Sequence, residues 1–192
     1  MYDNRKLAIF IKSLKRNGVE KSICDAILDG SEFIKKLKNQ EARSQIWFQM
    51  MKKMDDLLDE DFRKKIREEC ACCKKGWRNN DCKQVYKKYN TVEDRINAIN
   101  QLSSVFGEGV KVLGKDRYRV TFFKDNPNSY KCVCQKMLNK EWSYTWCQCC
   151  GGHIKYHLET LLGERLEALL VTTALTSNGK NNCIFELNKE SI

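Results

Sequence analysis

The sequence predicts an α+β chain: a helical N-terminal half followed by a mostly antiparallel sheet with one packed helix. Three observations predict it. Apolar residues recur at three- and four-residue intervals through the first ~105 residues. After Gly107-Glu108-Gly109 that period gives way to strict alternation. Hydrophobic residues make up 42% and aromatics 10% of 192 residues, enough to build a core and too many for a disordered chain.

In chain order, Phe10, Ile11 and Leu14 fall at helical spacing, and Asn17-Gly18 forms a stop. A short helix over Ser22–Leu28 ends at Gly30, with Ser31 placed to cap the next. Ile46, Met50, Met54 and Leu57 continue the helical period, with the methionines as core filler, and Phe62 and Ile66 resume it after an acidic break. Thr91-Val92-Glu93-Asp94 has capping-box spacing and opens a helix through Ile96, Ile99, Leu102 and Phe106. "VKVLGKDRYRVTFF" then alternates on both sides of Gly114-Lys115-Asp116, as a hairpin does. After the turn-rich "KDNPNS", "YKCVCQKM" reads as another strand. Gly151-Gly152 leads into a helix, "HIKYHLETLLG", and "LEALLVTTAL", "TSNGKNN" and "CIFELN" make a second hairpin. The expected division is a helical region, residues 1–106, and a cysteine-rich α+β domain, residues 107–192.

No run of about 18 apolar residues could span a bilayer, and "MYDNRKLAIFIKSLKR" lacks a signal peptide's layout. A cytoplasmic protein is therefore expected, with no membrane partner. Thiols stay reduced in that compartment, so eleven cysteines, an odd number, point to metal or thiol chemistry rather than disulfides. The net charge of +10 raises nucleic acid as a partner. The excess lies in residues 1–90, with 22 Lys+Arg against 14 Asp+Glu, but the signs alternate as on solvated helix faces. A nucleic-acid-binding regulator is accordingly the weakest reading.

The cysteines cluster. In extended chain, residues i and i+2 share a face, so Cys132 and Cys134 would present two sulfurs together. If "TWCQCC" is also extended, Cys147 and Cys149 would do the same, with Cys150 turned away. Four thiolates so placed suit a closed tetrahedral zinc site. Cys70 and Cys73, at C-x-x-C spacing, form half of a second site or complete the first. The rival chemistry is catalytic: a sharp turn at Gly151-Gly152 would place Cys149 or Cys150 at a helix N-terminus, where backbone N–H groups stabilise a thiolate. His153 would then be base or ligand. The plainer reading sets His153 and His157 on the polar face of an amphipathic helix.

Taken in order, "DGSEFIKKL", "MKKMDDLLDEDFRKKIREECACC", "YKCVCQKM" and "WCQCCGGHIKYHLETLLGERLEALLVTTALTSNGKNNCIFELN" resemble an uncharacterised family of cysteine-rich prokaryotic proteins. The C-terminal part also looks like the 4-vinyl-reductase-like small-molecule-binding domain. The resemblance implies that Cys70, Cys73, Cys132, Cys134, Cys147, Cys149 and Cys183 occupy family positions, as do Gly163, Glu167 and Gly179. Cys72, Cys82 and Cys150 are extra.

The leading expectation is thus a non-catalytic, zinc-binding protein with a small-molecule-binding or sensory role. Zinc would sit on Cys132, Cys134, Cys147 and Cys149. A small hydrophobic ligand would sit in a pocket lined by Phe122, Leu158, Leu162 and Phe185, in a chain that could pair as a homodimer. The alternative is a thiol-dependent enzyme using Cys149 or Cys150 with His153.

Overall fold

Four helices begin on a short polar side chain that satisfies an orphan backbone N–H, worth about 1 kcal/mol each. The computed structural model describes residues 2–102, 105–123, 129–132, 134–136 and 140–190. Helix α1 (Tyr2–Arg16) and α2 (Lys21–Leu28) are followed by Gly18 and Gly30 at φ +72° and +81°, the left-handed stops that the pattern predicts. Ser31 does not act as a cap. It is buried in a short 3₁₀ turn (Ser31–Lys35) that Gly30 precedes and no side chain caps. Asn39 caps α3 (Gln40–Leu57), whose Met50, Met51 and Met54 are fully buried while Leu57 is exposed. Asp59 accepts from the Phe62 N–H at 2.8 Å and starts α4 (Glu60–Glu69).

Helix α5 (Trp77–Lys88) precedes α6 (Val92–Gln101). Thr91 Oγ1 accepts from the Asp94 N–H at 3.1 Å and donates to its carboxylate at 2.7 Å, which closes the expected box. Helix α6 ends at Gln101, short of Phe106, and Ser103 and Ser104 lie outside the described residues.

Strands β1 (Gly109–Gly114) and β2 (Arg117–Thr121) form the predicted hairpin, turning at Asp116 with φ +59°. Strands β3 (Leu166–Thr172) and β4 (Ile184–Lys189) form the second, and the antiparallel order is β1-β2-β4-β3. Val110, Val120 and Phe185 stand in register on the inner face, with Lys111, Arg119 and Glu186 in register on the outer one. "YKCVCQKM" is not a strand in its described residues; Val133, Met137 and the turn at residues 124–128 lie outside them.

Helix α7 (Tyr144–Leu162) holds the two halves together. The sequence pattern places its start after the glycine pair. Instead Ser143 caps it by accepting from the Thr145 N–H at 3.0 Å, and it runs through both glycines to a left-handed stop at Gly163. At about 1.5 Å per residue it is long enough to serve two cores. The first core joins α1, α2, α3 and α4 to the start of α7, around a ring cluster in which Trp47 meets Phe10 at 5.9 Å and Trp146 at 5.0 Å. The second packs α5, α6 and the inner sheet face on Ile154, Leu158, Leu161 and Leu162. Both cores draw residues from either side of position 107. Among the described residues, no helix is long and apolar enough to cross a membrane.

Candidate functional site

Helical winding decides which sulfurs meet. Successive residues are about 100° apart, so positions i and i+2 face nearly opposite ways. Cys147 therefore turns from Cys149, against the expected shared face. It is buried in the first core with Sγ 3.4 Å from Thr173 Oγ1, and burial pushes its thiol well above the ordinary range. Cys149 packs against the edge of that same core, and Cys150 against the second. Cys150, expected to be the odd member, is central, because it is the largest influence on the acidity of both Cys134 and Cys149.

The glycine pair is not a turn. A Cβ on Gly152 would stand 2.1 Å from the Glu68 carbonyl oxygen and 2.5 Å from Glu68 Cα. The missing side chain is what lets α4 lie directly on α7. That contact brings Arg67 onto the first turn of α7 and Cys70 close enough for its charge and that of Cys149 to be coupled.

Arg67 is 2% exposed. Its guanidinium donates to the carbonyls of Thr145 at 3.2 Å and Trp146 at 3.1 Å, and lies 4.8 Å from the Trp146 ring and 5.3 Å from that of Phe10. Among the described residues no carboxylate pairs with it. A permanent cation out of water without a counter-ion is costly, and the acidic groups that feel its charge are the thiols of Cys70 and Cys149. Lys6, also buried, donates to the Cys134 carbonyl at 3.2 Å. The Cys150 hydrogen bond, helped by Arg67 and Lys6 against burial, lowers Cys149 from 9.0 to about 7. A separate interaction with Cys150 lowers Cys134, and the influence of Cys134 and Cys149 together holds Cys150 well above the thiol range.

The remaining predicted residues are spread around this trio. Cys132 Sγ accepts from the Cys134 N–H at 3.4 Å, and burial pushes its thiol to about 12. Cys70, at the end of α4, is buried with Sγ 3.2 Å from the Ile66 carbonyl. Cys73 lies beyond it, with its sulfur 3.6 Å from that of Cys72. Cys132, Cys134, Cys147 and Cys149 do not close on one point. Among the described residues no three His, Cys, Asp or Glu side chains form a group that could hold a metal ion. The donors are thiols of the right kind for zinc, and Cys132, Cys134 and Cys149 all pack against the core that holds Cys147.

His153 and His157 are not on a polar face. They are 8% and 0% exposed, stack edge to face at 4.5 Å, and press on the α4–α5 connection, where His157 Nε2 lies 3.1 Å from the Cys73 carbonyl. Burial lowers His153 from 6.5 to about 3 and lowers His157 too. A ring held neutral so far into acid is a poor base, and no hydrogen bond joins it to Cys149 among the described residues. Phe122, Leu158, Leu162 and Phe185 belong to the second core, with Phe122 and Phe185 edge to face at 5.7 Å. They share one packed core.

Sequence reasoning missed Arg67, which sits in a run of mixed charges resembling a solvated face. Its one sequence signal is its place between Ile66 and Cys70 on the apolar edge of that helix.

Fold and site together define a cysteine-rich α+β protein with a half-buried, cation-flanked thiol cluster. No family model, no curated protein and no solved structure matches the chain. Its functional reading therefore rests on the chemistry of the site.

Proposed function

We propose that the protein performs thiol–disulfide chemistry, with Cys149 as nucleophile and Cys134 as its resolving partner. The observation that supports this reading is the buried Arg67 guanidinium, which pairs with no carboxylate among the described residues and whose charge is felt at Cys149. The thiolate is the reactive form of cysteine, and a fixed cation in a water-poor site favours it. Cys150 adds a switch. Its single S–H can be donated fully to only one sulfur at a time.

The exchange is balanced in atoms and electrons. The Cys149 thiolate attacks a disulfide RSSR, forms a mixed disulfide and expels RS⁻. Cys149 then no longer accepts a strong hydrogen bond, so the Cys150 S–H passes to Cys134 and favours its thiolate. Cys134 attacks the Cys149 sulfur, expels the second RS⁻ and leaves a Cys134–Cys149 disulfide. RSSR has gained two electrons, the protein dithiol has lost two, and the two protons lost by the cysteines end on the released thiols.

Peptide mapping after brief iodoacetamide treatment at neutral pH tests the assignment. Cys149 should be alkylated first, at a rate above that of free cysteine, and Cys149→Ser should remove the fast phase while the far-ultraviolet spectrum stays the same. Uniformly slow thiols would sink the reading. Thiols that react only after a chelator has released a bound metal would also sink it and would favour the zinc-binding reading.

A further inference from the structure

A cleft of about 360 Å³ lies between α1 and the segment after α4. This is within the lower range of ligand-sized pockets. Its walls carry five cations, Arg5, Lys12, Arg16, Lys74 and Lys75, against one carboxylate, Glu69. That carboxylate is already engaged: it accepts from Ser13 and Asn17, each at 3.1 Å, and meets Arg16 at 3.7 Å. Arg5, Lys12 and Lys75 are exposed and have no ion pair among the described residues. The cleft is therefore positive where a ligand would enter, and it focuses field toward its floor.

The floor is not chemically inert. Cys72 lines it, and the charge of Cys72 is felt at both Cys134 and Cys149. The Cys72 end of the cleft is thus close enough to Cys134 and Cys149 for charge to be felt between them, although neither lines the cleft itself.

Building on the thiol–disulfide reading, we propose that the substrate is an anionic disulfide, a small molecule whose carboxylates rest on Arg5, Lys12 and Lys75 while its S–S bond lies at the Cys72 end, next to Cys149. The exchange is the same two-electron sequence, with the acidic disulfide as RSSR. Neutral and cationic disulfides lack the groups that the cleft retains.

Two chromogenic disulfides of opposite character test it on the full chain: the dianion 5,5′-dithiobis(2-nitrobenzoate) and the neutral 2,2′-dithiodipyridine. Each rate at Cys149 is divided by the rate with free cysteine, which removes intrinsic reactivity. The anionic probe should show a normalised advantage of roughly tenfold or more at low ionic strength, falling as salt is added. The double substitution Lys12→Glu with Lys75→Glu, at exposed positions, should abolish that advantage and leave the neutral-probe rate unchanged. A fast Cys149 with no preference for the anion overturns the substrate assignment alone. No fast thiol with either probe overturns the thiol reading and this inference with it. Loss of both rates in the double variant overturns the inference, because a docking site for charge must spare the neutral probe.

Discussion

At the scale of single residues, the chemistry turns on one cation and one shared proton. Arg67 stands where a carboxylate would normally neutralise it, and the thiols take that place. Reactivity at Cys149 should therefore follow its thiolate fraction, holding above pH 7 and fading as the pH falls through about 7. In Arg67→Met the favourable charge is gone while the side-chain bulk remains, so the midpoint should rise by about one pH unit. The pH dependence of Cys149 alkylation, followed by mass spectrometry, measures it directly. An unmoved midpoint would remove the guanidinium from the account. None of this is readable from residue spacing. Alternating charge around Arg67 is the ordinary signature of a solvated helix, and only the approach of a second helix converts one of those charges into a buried group.

At the scale of elements, Gly151 and Gly152 are neighbours with opposite duties. A Cβ at Gly151 would meet only the Gln148 and Phe185 side chains at 3.6 Å, an ordinary contact. Gly151→Ala should thus stabilise the protein by roughly 0.5–1 kcal/mol, the usual gain for removing a helical glycine. Gly152→Ala drives a methyl into the Glu68 backbone and should cost about 1–3 kcal/mol, as overpacking does. It should also slow Cys149, because α4 carries Arg67 away as it shifts. Urea denaturation and the alkylation rate report the two effects, and equal stabilities for the two variants would refute this division. Most elements are legible in the sequence: the helix stops at Gly18 and Gly30, the Thr91 box and both hairpins all come from local turn and cap chemistry. The site is not, because "TWCQCCGGH" carries two glycines that locally disfavour helix. Packing of α4 on α7 and the Ser143 cap override that preference, and with it the extended geometry that would have paired Cys147 with Cys149. Spacing singles out the cysteine stretch but not its period, and a helix and a strand group its sulfurs differently.

At the scale of the whole molecule, two buried histidines link stability to acid. Folding holds His153 at about 3 and lowers His157, whereas the unfolded chain takes up protons below 6.5. Between those values the unfolded state binds more protons, so stability increases with pH and is lost as acid is added from pH 6.5 toward 3. The melting temperature should fall across that window. In the doubly substituted His153→Asn, His157→Asn protein the slope should flatten, even where the absolute stability is lower. Parallel melting profiles would show that other groups govern acid unfolding. Helix α7 gives this linkage its reach. It carries the histidines, the proposed nucleophile and the apolar residues of both cores on one rod, like two leaves swung on a single hinge pin. A covalent change at Cys149 would therefore be made on the pin itself, at the edge of one leaf and next in sequence to Cys150 on the other.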